Sequence, residues 1–289
     1  MPTQAQVITA APTPFTHDER LDREGVQTLL ESINARGADA VFAAGTTGEF
    51  TALEDEERLD VLTIALEVFG PERTYAHVGA ATPRQAEQLT RTITGAGAQR
   101  LAAITPFFLP APIDAVARYY ERIVAAAGGA QVFAYLFQLR STTPVTPDQL
   151  QKLADVGVAG VKISGESDAS VSAFLAAAPA DFTIISGNDI AFAELIHSGG
   201  TGVVSGVSSV FPKPFIALRD ALRDGDAEAA RAAQPQVERA VAAVKGGSIA
   251  HLKAGLEVQG LPAGPVRVSC EPVSAHDLQI LKDTAHELG

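Results

Sequence analysis

Thr146-Pro-Asp-Gln-Leu-Gln-Lys-Leu-Ala-Asp-Val-Gly-Val-Ala-Gly-Val-Lys-Ile-Ser-Gly165 holds one repeat of the pattern that decides the fold. Thr146-Pro147 is an N-cap followed by proline at the first helical position, and Leu150 and Leu153 follow at helical spacing. Val158–Ser164 is then a short, nearly continuous apolar run, as expected of a strand buried on both faces of a parallel sheet. Seven more such runs occur: Val7–Phe15, Ala38–Ala44, Thr74–Gly79, Leu101–Phe108, Gln131–Phe137, Phe182–Gly187 and Gly202–Val207. Helical stretches separate them, including Arg23–Arg36, Glu54–Phe69, Pro83–Gly95, Ile113–Ala127, Ala169–Ala178 and Ile190–Ser198. Asp22 and Thr82 are expected to cap two of them, and Gly37 to end the first.

Strand–helix alternation with short connections implies βαβ units. Eight of them predict an α/β fold, a (β/α)8 TIM barrel, in preference to an open sheet. An open doubly wound sheet would carry a glycine-rich phosphate loop, and neither G-x-G-x-x-G nor G-x-x-x-x-G-K-[ST] occurs. From Pro212 onward the pattern is helical only: Pro214–Leu222, Ala227–Val244, Ile249–Val258 and Ser274–Glu287. The expected organisation is therefore a barrel over 1–223 and a C-terminal helical extension over 224–289, packed on the barrel.

The chain has 289 residues, 46% of them hydrophobic, with a net charge of −12. Such a chain can bury a full core without staples, and its negative charge disfavours nucleic acid or an anionic membrane surface as partner. One cysteine, Cys270, excludes an internal disulfide or a multi-cysteine metal site. The six histidines lack zinc-ligand spacing, so no metal is expected. The start lacks the charged and apolar regions of a signal peptide, and no apolar run reaches bilayer length; a cytoplasmic protein is expected.

Catalytic groups of a (β/α)8 barrel sit at the C-terminal ends of its strands. Lys162 lies in the sixth run, between Val161 and Ile163. An ammonium in a dry core must be paired or lose its proton, and burial lowers a lysine pKa toward nucleophilic amine. The other reading is an outward lysine bridged to Glu166 or Asp168. The remaining five lysines fall on polar helix faces, between prolines or in the tail. At the end of the second run, Gly45-Thr-Thr-Gly-Glu49 offers backbone N–H groups and two hydroxyls to a carboxylate, or simply caps the next helix. Tyr135, ending the fifth run, can relay protons or be a core tyrosine. His77 can face the barrel mouth, or be hydrogen-bonded in place. Glu54–Glu57 reads as a solvated first helical turn.

Together these clusters resemble the dihydrodipicolinate synthase / N-acetylneuraminate lyase family over nearly the whole chain. Thr9-Ala-Ala-Pro-Thr-Pro-Phe15, Gly45-Thr-Thr-Gly-Glu49, Tyr135, Gly160-Val-Lys-Ile163, Ser186-Gly-Asn-Asp189 and Gly199-Gly-Thr-Gly-Val-Val-Ser205 carry the likeness. The resemblance implies a class I, Schiff-base, pyruvate-dependent aldolase: a 2-oxo acid held as an imine on Lys162, with no metal or organic cofactor, in a homotetramer built as a dimer of dimers. It assigns Lys162, Tyr135 and Thr47 to catalysis. Thr46, Thr47, Gly48, Arg140, Ser164, Gly187, Asn188, Val204 and Ser205 are assigned to substrate binding, with the Val204 carbonyl beside the imine.

Departures bear on the substrate. The synthases' Tyr-Asn-x-Pro-x-Arg-Thr-Gly stretch reads Tyr135-Leu-Phe-Gln-Leu-Arg-Ser-Thr142. The second tyrosine, which in the synthases relays protons in a neighbouring subunit, is replaced by Phe107 and Phe108. Phenylalanine has no hydroxyl, which breaks that relay. Ser164, Asn188, Asp189 and Ser205 suit a polyhydroxylated chain, or are ordinary loop and cap residues, and Arg140 can meet a second carboxylate or simply brace its loop. The expectation is an aldolase or lyase that uses pyruvate, or cleaves a 2-keto-3-deoxy sugar acid to pyruvate and an aldehyde. A sugar-acid dehydratase, a synthase condensing pyruvate with aspartate semialdehyde, and a non-catalytic 2-oxo acid-binding protein are the alternatives.

Overall fold

Each apolar run contributes one strand. In the computed structural model, which describes residues 4–288, they are β1 (Gln6–Ala10), β2 (Ala40–Ala43), β3 (Thr74–His77), β4 (Arg100–Ile104), β5 (Gln131–Leu136), β6 (Val158–Ile163), β7 (Thr183–Ser186) and β8 (Gly202–Ser205). All neighbours pair in parallel and β8 closes on β1, giving a (β/α)8 TIM barrel. All eight strands stop short of the ends of their apolar runs, β1 and β4 by the most. β1 ends ahead of Pro12 and Pro14, and β4 ahead of Pro106, because proline has no N–H to give the ladder.

The barrel helices are α1 (Arg23–Ala35), α2 (Asp55–Phe69), α3 (Pro83–Gly95), α4 (Ile113–Ala126), α6 (Leu150–Asp155), α7 (Asp168–Ala177), α8 (Phe192–His197) and α9 (Pro212–Asp224); a single turn, α5 (Gln138–Ser141), precedes α6. Asp22 and Thr82 do cap their helices, accepting from Gly25 N–H at 2.9 Å and Gln85 N–H at 3.3 Å. The extension is α10 (Ala227–Ala243), α11 (Ile249–Val258) and α12 (Ala275–Leu288). Val237, Leu252, Leu256 and Leu281 of these helices bury into the same apolar cluster as the outer faces of the barrel strands.

Alternation along the strands makes two cores. Val161 and Ile163 of β6 join the outer cluster beneath the helices. Residues of opposite parity fill the barrel axis, among them Ile8, Phe42, Tyr75, Phe133, Tyr135, Ile185 and Val204. This two-sided burial is why the strands read as continuous apolar runs. Among the described residues, no helix is long and apolar enough to cross a membrane.

Candidate active site

The parity of β6 turns Lys162 inward. It is 5% exposed and pairs in register with Tyr135 on β5 and Ile185 on β7. Its Nζ stands 4.0 Å from the Tyr135 ring centroid and 4.3 Å from that of Phe42. Burial lowers its pKa below the ordinary lysine value; the Tyr135 hydroxyl, as a hydrogen-bond partner, and the more remote Asp189 pull the other way. The outward alternative does not occur. Glu166 accepts from Ser170 Oγ at 2.7 Å, and Asp168 accepts from Asn188 Nδ2 at 3.1 Å.

The Gly45–Glu49 loop leaves β2 over this amine. Gly45 is needed because a Cβ there would sit 2.6 Å from the Phe42 ring. Thr46 Oγ1 lies 3.2 Å from the Tyr135 hydroxyl, so tyrosine, threonine and lysine form one hydrogen-bonded group. Beneath the loop, His77 Nδ1 lies 3.0 Å from the Ala44 carbonyl, while its Nε2 accepts from Ile104 N–H at 3.2 Å. Those partners assign the proton to Nδ1 and leave the ring neutral. Burial holds the His77 pKa well below the usual histidine value, with the Arg58 and Lys162 charges adding to it. Arg58 in turn donates to the carbonyls of His77 and Gly79, both at 2.9 Å. His77 is thus a brace for the loop and does not open on the mouth.

A cavity of about 760 Å³ opens above Lys162. It brings together Thr46, Thr47, Tyr135, Arg140, Lys162, Ser164, Gly187 and Val204. Gly187 gives Ser164 its place, since a Cβ at 187 would lie 2.4 Å from Ser164 Oγ. Three expected residues stand behind the wall. Gly48 abuts the end of the first strand and accepts from Thr13 Oγ1 at 2.8 Å. Asn188 turns its amide to Asp168 and its carbonyl oxygen toward Ala191 N–H. Ser205 is fully buried and accepts from Ser208 N–H at 3.0 Å.

Asp189, expected with Asn188 among the short polar groups of the site, does line the cavity. Its Oδ1 is buried without a hydrogen-bond partner. Burial pushes its pKa up to about 7, against a hydrogen bond from Ser205 and the charge of Lys162. The distal wall comes from the extension: Lys245–Ile249 and Val268–Cys270. No spacing in the sequence marks these residues, because they reach the cavity only through tertiary packing. Phe107 lines the same cavity, edge-on to Phe50 with centroids 5.6 Å apart. Among the described residues no three His, Cys, Asp or Glu side chains are clustered to hold a metal.

A parallel barrel with an amine buried on its sixth strand, a tyrosine against it and a hydroxyl loop above defines a lyase of the Schiff-base, pyruvate-dependent class. The comparisons agree: the chain matches the Dihydrodipicolinate synthetase family over residues 3–288, and it belongs to that family. An uncharacterized DapA-like lyase of Halobacterium salinarum is 32% identical, the match covering 98% of this chain and 93% of the relative. The 4-hydroxy-tetrahydrodipicolinate synthase 1 of Streptomyces coelicolor is 34% identical, with 90% and 86% covered. The structure of Ruminococcus gnavus sialic acid aldolase superposes with a TM-score of 0.90 at 25% identity, covering 99% of this chain and 97% of that one.

Proposed function

We propose that this lyase cleaves a 2-keto-3-deoxy sugar acid to pyruvate and an aldehyde through an imine on Lys162. The observation that carries the reading is the Lys162 amine, buried against Tyr135, whose hydroxyl lies 3.2 Å from Thr46 Oγ1. The amine adds to the C2 carbonyl and water leaves. The protonated imine then accepts the electron pair of the C3–C4 bond while Tyr135 takes the C4 hydroxyl proton. The aldehyde departs, the enamine is protonated at C3, and hydrolysis frees pyruvate. Thr46 and Thr47 hold the 2-oxo acid's carboxylate, with the Val204 carbonyl beside the imine. Ser164 and Asp189 meet hydroxyls of the longer chain, and Arg140 faces its far end.

Phe107 and Phe108, which have no hydroxyl to relay a proton, favour this over the synthase reaction. Arg140, on the cavity wall, keeps condensation with aspartate semialdehyde as the second reading. No metal or organic cofactor is required beyond the imine. The reading includes a cytoplasmic homotetramer, with a barrel over 1–223 and a helical region over 224–289. Phe108, Leu109 and Leu139 are 83%, 71% and 76% exposed beyond β4 and β5, which supports a neighbouring subunit covering them.

The test is incubation with pyruvate and borohydride, then peptide mass spectrometry. An adduct on Lys162 is expected; no adduct, or one on another lysine, overturns the reading. A panel of 2-keto-3-deoxy acids, assayed for released pyruvate, then separates cleavage from condensation.

A further inference from the structure

We propose that Glu49 and Lys253 are positioning residues, which lock the carboxylate-binding loop onto the C-terminal extension and so set the affinity for the 2-oxo acid. The inference rests on the reading of Thr46 and Thr47 as the carboxylate site.

Glu49 is the last residue of that loop, and its backbone is left-handed, with φ 58° and ψ 38°. A non-glycine residue seldom stays there unless its surroundings hold it. Here the side chain holds it. The carboxylate is entirely buried, with Oε1 2.7 Å from Lys253 Nζ. Oε2 accepts from the N–H groups of Arg267 at 2.8 Å and Val268 at 2.9 Å. Lys253, on α11, is 2% exposed. Its ammonium also donates to the Pro265 carbonyl at 2.6 Å and lies 4.1 Å over the Phe15 ring.

The strap over residues 263–268 is fastened at both ends. Phe15 N–H donates to the Ala263 carbonyl at 3.1 Å. Gly264, at φ +68°, lies so close that a Cβ there would fall 1.8 Å from the Phe15 carbonyl oxygen. Arg267 forks onto Glu57 with contacts of 2.6 and 2.7 Å. Just past the strap, the chain continues as cavity wall at Ser269 and Cys270. Leu252, beside Lys253, is fully buried. A Cβ at Gly206 would meet both Leu252 Cδ1 at 3.1 Å and Thr47 Oγ1 at 3.2 Å. Thr47 and α11 therefore both pack against the turn after β8.

A buried ion pair is seldom the most stabilising choice for a site; apolar residues of similar volume often do as well. What this pair adds is a fixed distance between a loop bearing two substrate-binding hydroxyls and a helix that begins some 200 residues later.

The experiment measures borohydride trapping against pyruvate concentration for the full chain and for two variants. Glu49→Gln removes the charge and strands Lys253. Glu49→Asp keeps the charge but falls one methylene short; aspartate tolerates left-handed backbone, so this variant should fold even if the first does not. Each folded variant, assayed well below its melting temperature, is expected to need about 10-fold more pyruvate for half-saturation. Trapping at saturating pyruvate should stay close to that of the unaltered chain. A merely structural role would lower the melting temperature and leave half-saturation where it was, and that result overturns the inference. If the unaltered chain traps no pyruvate on Lys162, the underlying reading fails and takes the inference with it.

Discussion

Replacing Lys162 by methionine should end the chemistry and stabilise the fold. The ammonium has no carboxylate within ion-pairing distance among the described residues, and Asp189 acts on it only through space. It faces the Tyr135 and Phe42 rings at 4.0 and 4.3 Å. Two cation–π contacts contribute about 0.5–2 kcal/mol each, while withdrawing an ammonium from water costs several kcal/mol. The pKa is lowered, with burial the largest cause, so the desolvation penalty exceeds the Tyr135 hydroxyl and Asp189 interactions that oppose it. Methionine is unbranched, of similar length and apolar. A net gain of about 1 kcal/mol is expected, in the range of other stabilising substitutions at functional sites. For a domain of this size that is about 2–4 °C in melting temperature.

The pH dependence gives the sharper test. A base whose folded pKa is depressed binds fewer protons in the folded state than in the unfolded one. The unaltered protein therefore gains stability as pH climbs from the lowered value to 10.5. The variant lacks the group, so its advantage is full below that window and fades through it. Calorimetry of both proteins from neutral to alkaline pH reads this directly, and borohydride with pyruvate should label the unaltered chain alone. A variant that melts below the parent at neutral pH, or an advantage that grows with pH, would refute the reasoning and make Lys162 a paired structural cation.

Tyr135→Phe keeps the ring beside Lys162 but removes the hydroxyl 3.2 Å from Thr46 Oγ1. Turnover should fall about 10²–10⁴-fold, with stability lowered by about 1 kcal/mol, while pyruvate is still trapped on Lys162; unchanged turnover would remove the tyrosine from the proton path. Asp189→Asn should be more favourable at neutral than at acid pH. Because burial raises the Asp189 pKa from 3.8 to about 7, the folded parent keeps its proton while the unfolded chain ionises, and the parent loses stability as pH rises through that interval. At about 1.4 kcal/mol per unit, the asparagine variant should gain about 2–3 kcal/mol on the parent between about pH 5 and pH 7. Denaturant titrations check this, and a pH-independent difference would show that the carboxylate is not desolvated.

How much of this could be read in the sequence depended on whether a residue was out of place among its neighbours. Lys162 was conspicuous because Val161 and Ile163 need an apolar outer layer and the parity of a strand then sends the lysine into the barrel axis. That anomaly is local, so it survives without coordinates, and it carries the reaction type. Asp189 and Asn188 were different. β7 ends at Ser186, and beyond a strand the alternation that assigns faces no longer applies. Adjacent polar residues there are equally ordinary, and only the tertiary arrangement sends Asn188 to Asp168 and Asp189 to the cavity. Gly48 went astray likewise, being held from behind by Thr13. The distal wall at Lys245–Ile249 and Val268–Cys270 left no trace at all, since helices and loops of the extension look like surface until they are docked. Reaction type and substrate are therefore recorded differently in a chain of this kind. The bond-making group must be buried in a place that penalises it, which marks it in the sequence. The groups that recognise the rest of the substrate sit in loops where polar residues are expected, so they become visible only when the fold assembles them around one cavity.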